Sequence, residues 1–156
     1  MLFSIDEIAE MALEIERLGA AFYEEALDHV KSEAVRDLFA LLREEEEAHE
    51  EQFEEVIRSL REAPEGPALD AEWTEYVRAL TESRVFPNQA AVQAAVAGIT
   101  DEASALHLAL QFERETILFF HEMKTAVSAK AVPILDALIE EERGHVRRLS
   151  QLSRLI

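Results

Sequence analysis

Across residues 33–61 the apolar positions recur at alternating steps of three and four, as Phe39, Leu42, Phe53, Val56 and Leu60, and Glu46 and His49 occupy two places in the same row. That period is the one an α-helix needs to bury a single stripe. It returns over 131–154 as Leu135, Leu138, Glu142, His145, Leu149, Leu152 and, just beyond, Ile156. At the start of the chain Ser4-Ile5-Asp6-Glu7 has the form of a capping box and predicts a helix over 4–28. Two apolar stripes run side by side on this helix: Ile5, Ile8, Ala12, Ile15, Gly19, Phe22, Ala26 and Ala9, Leu13, Glu16, Ala20, Tyr23, Leu27. A helix apolar on two neighbouring faces belongs well inside a bundle, and Glu16 is the only charge in its row. A further helix over 100–127 presents Ile99, Ala103, Leu106, Leu110, Glu113, Ile117 and Phe120, again with one carboxylate among apolar residues.

The connections set the topology. Residues 28–32 make a short turn with Ser32 as N-cap, so the first two helices are antiparallel neighbours. Over 62–98 the rhythm breaks at Pro64-Glu65-Gly66-Pro67 and again at Phe86-Pro87-Asn88, with short helices expected at 69–82 and 90–97. Ser128 and Pro133 mark the last boundary. The pattern predicts an all-α single domain over 1–156, a four-helix bundle of two antiparallel pairs joined by a long crossover. Such a crossover either travels along the bundle or packs on a neighbouring subunit. Trp73, Tyr76, Val77 and Phe86 lie in it with no evident place in a four-helix core, which predicts a homodimer or larger homo-oligomer.

Composition narrows the function classes. With 33 acidic against 15 basic residues the formal charge is −18, which sets nucleic acid and anionic membrane surfaces aside as partners and makes a cation the natural ligand. The absence of cysteine excludes disulfides and thiolate metal sites from this chain. The N-terminus has neither a basic leader nor an unbroken apolar run, so a soluble, cytoplasmic protein is expected.

Glu46-x-x-His49 and Glu142-x-x-His145 place an acid and an imidazole one turn apart, within roughly 60° of each other on the wheel. Ionisable groups in the middle of an apolar seam each cost several kcal/mol or more to bury unless something compensates them, and a bound cation does so directly. The halves of the chain repeat: Ile15-Glu16-Arg17 before Phe22-Tyr23 matches Phe112-Glu113-Arg114 before Phe119-Phe120, and Glu16 precedes Glu46 by 30 residues as Glu113 precedes Glu142 by 29. Each half thus supplies a lone Glu and then a Glu-x-x-His. Packed about a pseudo-twofold axis, four carboxylates and two imidazoles would converge, the pattern of ferritin-like di-iron and di-manganese proteins. Carboxylates bridge and neutralise hard cations, while neutral imidazole suits iron, manganese or zinc.

Over essentially its whole length the sequence resembles the rubrerythrin-like branch of the ferritin-like superfamily. The resemblance implies that Glu16 and Glu113 are terminal carboxylates, Glu46 and Glu142 bridging ones, and His49 and His145 one imidazole on each of two iron ions. It implies oxidation of a ferrous pair by dioxygen or hydrogen peroxide, as a ferroxidase or peroxide scavenger. Two departures bear on this. Classical rubrerythrins carry a cysteine-rich rubredoxin domain, so here a separate electron donor is implied. They also tend to have a second Glu one turn past the lone Glu of the third helix, where this chain has Thr116. Two other readings of the same residues are iron storage within an assembly and a non-redox, metal-occupied interaction bundle. Tyr23, on the Glu16 row, is either a satisfied core hydroxyl or a hydrogen-bond donor to a ligand carboxylate. His29, His107 and His121 fall off the ligand rows, and Glu44-Glu45, Glu50-Glu51 and Glu54-Glu55 read as a solvated face.

Overall fold

The capping box forms as expected. Ser4 N–H donates to Glu7 Oε2 at 2.7 Å and Glu7 N–H to Ser4 Oγ at 3.2 Å, opening α1 (Ile5–Ala26) in the computed structural model, which describes residues 4–62 and 69–156. A 3₁₀ turn, Leu27–His29, carries the chain into α2 (Glu33–Glu62), whose first helical bond runs from Arg36 N–H to the Ser32 carbonyl. Glu102 closes this corner from the other half by accepting from the amides of Lys31 and Ser32 at 2.6 and 2.9 Å. Three later helices begin on side-chain caps: Asp70 for α3 (Ala71–Glu82), Asn88 for α4 (Gln89–Ala97) and Asp101 for α5 (Glu102–Ala126). In α6 (Val132–Ser153) Pro133 sits in the first turn, where its missing N–H has no helical partner to lose.

The helices assemble as two pairs. α1 packs along α2 and α5 along α6, and the pairs meet where α1 faces α5 and α2 faces α6. The crossover lies against this bundle, α4 on α1 and α3 on α5. No strand occurs among the described residues, and none of their helices is long and apolar enough to cross a membrane. On α2 the predicted stripe is buried throughout, with Phe39, Leu42, Glu46, His49, Phe53 and Val56 all without solvent exposure. The side chain of Leu60 and the Pro64-Glu65-Gly66-Pro67 break lie outside the described residues.

Several expectations are corrected. The first helix stops its α geometry at Ala26 rather than at residue 28, passing into the 3₁₀ turn. On α5 the buried face is centred on Ala105, Ala109, Phe112, Thr116 and Phe119 beside Glu113; Ala103 is exposed and Leu110 and Ile117 are half-buried. The row chosen from sequence was one edge of that face, because α5 is covered by α1, α3 and α6 from different sides. Ile156 follows the end of α6 and is exposed. Val77 and Phe86 have a place in the core after all: both are buried within the chain, and Phe86 stacks on Phe22 with ring centroids 4.8 Å apart. They need no second subunit to cover them. Trp73 is half-buried and its indole N–H donates to Glu122 at 3.3 Å, leaving Tyr76 as the crossover aromatic on the surface.

Candidate metal centre

The four long helices bring the predicted side chains to one place. Glu16 from α1, Glu46 and His49 from α2 and Glu142 from α6 form one group; Glu46, Glu113 from α5, Glu142 and His145 form a second. In each group one donor atom per residue lies within 4.8 Å of the others, and every member is buried. Glu46 and Glu142 belong to both. Glu142 stands between the imidazoles, Oε1 2.9 Å from His49 Nδ1 and Oε2 2.9 Å from His145 Nδ1. The two rings stack nearly parallel, 9° apart with centroids at 5.3 Å. His49 Nδ1 is also 3.0 Å from Glu16 Oε2, and His145 Nδ1 lies 3.2 Å from Glu113 Oε1 and 3.0 Å from Glu46 Oε1.

Protein groups alone do not satisfy this cluster. A ring nitrogen has at most one proton to give, yet each Nδ1 faces two or three carboxylates. Glu16 Oε1, Glu46 Oε2 and Glu113 Oε2 are buried with no hydrogen-bond partner among the described residues. Burial, then the neighbouring Glu142 charge, pushes the Glu16 carboxyl up to about 7 and those of Glu46 and Glu113 well above the usual range. Burial also opposes the charge of Glu142, but hydrogen bonds from His145 and His49 outweigh it and hold that carboxyl below its ordinary value. For His49 burial favours the neutral ring, yet the Glu142 and Glu16 carboxylates prevail and push it up to about 12; His145 is raised in the same way. In the metal-free chain the imidazoles thus carry the positive charge that the carboxylates demand. Unpartnered hard oxygen donors converging with one Nδ1 per half fit a pair of divalent cations.

Close packing of α1 on the site requires a glycine. A Cβ at Gly19 would stand 2.4 Å from Phe112 Cζ and 3.2 Å from Glu46 Oε2. Tyr23, two turns on from Glu16, donates its hydroxyl to Glu113 Oε1 on α5, so it serves a carboxylate of the opposite half. Burial and the Glu113 charge raise the phenol well above its usual value and keep its proton in place. The repeat partner Phe120 packs on Phe53 at 5.0 Å with no hydroxyl to offer. Thr116, where a further Glu is common in the resembled family, is buried and donates to the Phe112 carbonyl at 3.0 Å. His29, His107 and His121 are exposed.

Two residues of the site escaped the sequence reading. Glu141 Oε2 lies 2.7 Å from His49 Nε2, and Glu45 Oε2 lies 3.0 Å from His145 Nε2. Glu45 is therefore only partly solvated: its side chain is 34% exposed, and Arg148 grips it through two nitrogens, one at 3.2 Å. At His49 the hydrogen bond from Nε2 to Glu141 places that ring's proton away from the cluster and leaves Nδ1 as the donor to a cation, whereas Glu45 stands beside His145 Nε2 as an ion-pair partner without a hydrogen bond. The signal was present in the repeat, since both halves read Glu-Glu-x-x-His, Glu45 to His49 and Glu141 to His145.

Comparison with known proteins bears on the fold and the family. A Thermotoga maritima structure described as a ferritin-like diiron-carboxylate protein superposes with a TM-score of 0.67 at 20% identity, over 98% of this chain and 96% of the other, and supports the fold. No curated protein sequence matches the chain. The Rubrerythrin family model matches residues 7–153, nearly the whole bundle with all six clustered side chains, and the chain belongs to the rubrerythrin family.

Proposed function

We propose that this protein is a di-iron oxidoreductase that oxidises a ferrous pair with dioxygen or hydrogen peroxide. The observation that carries the reading is the overlap of two buried donor groups through Glu46 and Glu142. Glu16 and His49 would hold one ion, Glu113 and His145 the other, and Glu46 and Glu142 both. When bound, two ferrous ions supply two electrons, enough with two protons to reduce dioxygen to hydrogen peroxide or hydrogen peroxide to two waters.

The protein's own contribution is to bind, orient and neutralise. Four carboxylates balance two dications, so the centre sits in the apolar interior without a large net charge. One imidazole per ion leaves coordination positions for the oxidant. Glu141 orients the His49 ring from outside, Glu45 places a carboxylate beside His145, and Tyr23 steadies Glu113 on one side only. A cavity of about 420 Å³ lies outside this edge of the centre, lined by His145, Glu45, Glu141 and Arg148 among others. A separate redox partner would return the electrons.

Anaerobic loading of metal-free protein with ferrous ions, then addition of oxidant, tests the reading. Oxidation of about two ferrous ions per chain followed by a halt is expected. Continued uptake with mineral growth would instead favour storage, and an absence of oxidation above the protein-free rate would reject both.

A further inference from the structure

Arg84, in the crossover between α3 and α4, is a buried cation that holds no place among the six clustered side chains. Its residue exposure is 7%, and Nε and Nη2 have no hydrogen-bond partner among the described residues. Phe112 links it to the metal centre. The ring centroid lies 5.7 Å from Arg84 Cζ. The same ring reaches α1 at Gly19, where an added Cβ would meet Phe112 Cζ and stand 3.2 Å from Glu46 Oε2. Phe86 and Tyr23 pack on Phe112 at 5.7 and 6.5 Å, and all three rings are without solvent exposure. Across an apolar medium of this kind a charge acts further than in water, and salt screens it little.

Burial pushes the guanidinium down to about 10, with the Glu115, Glu16 and Glu46 carboxylates acting in the opposite sense, so it keeps its charge at neutral pH. Two of those three carboxylates belong to the metal centre. The third, Glu115, is half-buried and accepts from Val85 N–H at 2.8 Å and Gln111 Nε2 at 3.1 Å. We propose that Arg84 tunes the redox centre from outside: its positive charge, set behind the Phe112 ring, favours the ferrous state of the pair and raises its reduction potential. The inference rests on the di-iron reading. Each electron passed to dioxygen or hydrogen peroxide leaves one more positive charge at the centre, and a cation fixed nearby opposes that gain. Arg84 touches neither metal nor oxidant in this role, and Glu115, of opposite charge, moderates it.

The test is an anaerobic redox titration of the iron-loaded, full-length protein, with the ferrous fraction read by Mössbauer spectroscopy. At a fixed potential Arg84→Met should move the ferrous-to-ferric ratio about tenfold toward ferric, a fall of about 59 mV for a one-electron step. Glu115→Gln, whose amide oxygen can still accept from Val85 N–H, should move it the other way. The Arg84→Met shift should persist at high ionic strength, as a buried charge requires. Circular dichroism and elemental quantification check that the helices and the iron are retained. The Glu115→Gln arm decides the matter should the methionine variant not fold. Midpoints equal to that of the unaltered protein, or shifts of the same sign in both variants, would overturn the inference and leave the di-iron reading standing. An unaltered protein with no ferrous–ferric couple would remove both.

Discussion

The carboxylate of Glu141 on α6 lies 2.7 Å from Nε2 of His49 on α2, a contact between the two halves of the repeat, and Glu45 returns it to His145 at 3.0 Å. Glu141 thus orients the His49 ring by a hydrogen bond across the repeat, and Glu45 sets a charge beside that of His145. Outer carboxylates of this kind typically contribute 10–100-fold to metal affinity. Glu141→Ala or Glu45→Ala should weaken metal binding by about that factor in a competitive chelator titration, with helical content unchanged. The double variant should lose more than either single one, since the two act on different rings.

Terminal and shared carboxylates should differ in how many ions they govern. Glu16 belongs to one donor group, whereas Glu142 belongs to both and faces both imidazoles. Glu16→Ala should leave about one ion per chain and Glu142→Ala close to none, as read by elemental quantification after equilibration with ferrous ions. Equal losses would mean that the two groups do not share a bridge.

Metal binding should release protons and tighten as pH rises. In the metal-free chain His49 is pushed up to about 12, so its ring is protonated at neutral pH, and Glu16 is pushed up to about 7, so part of it is protonated there too. Cations compete with those protons for Nδ1 and for the carboxylate oxygens. Raising pH through 7 empties Glu16 first and lowers the cost of displacement, so apparent affinity should climb from pH 6 to pH 8. Calorimetry in buffers of different ionisation enthalpy should show net proton release; proton uptake would contradict these charge states.

Gly19→Ala should destabilise the fold despite adding a good helix former. The new methyl would meet Phe112 Cζ at 2.4 Å and Cε1 at 2.6 Å, in a core with no room for it. Overpacking of this sort costs about 1–3 kcal/mol, or a Tm loss of roughly 2–12 °C for a chain of this size. Phe112→Leu in the Gly19→Ala background should recover part of that loss, which a purely local helix effect would not allow.

Helical period and the repeat were enough to find Glu16, Glu46, His49, Glu113, Glu142 and His145, because an ionisable residue inside an apolar row is visible in one dimension. The same local rules reached the capping box at Ser4 and the two short crossover helices, whose start signals involve residues only a few positions apart. Glu45 and Glu141 left a trace in the repeat, as the first Glu of each Glu-Glu-x-x-His, but none in the apolar period. Glu45 and Glu141 sit about 100° round the helix from Glu46 and Glu142, at the rim of the buried face. Whether a rim residue meets solvent or a histidine depends on the helix opposite. Val77 and Phe86 show the same limit, since only the path of the crossover over α1 and α5 decides that they are covered by their own chain. Sequence by itself determined which side chains turn inward, through a periodicity each helix carries alone. Tertiary structure decided which inward-turning groups meet and which carboxylate crosses to which ring, because these depend on distances between segments far apart along the chain.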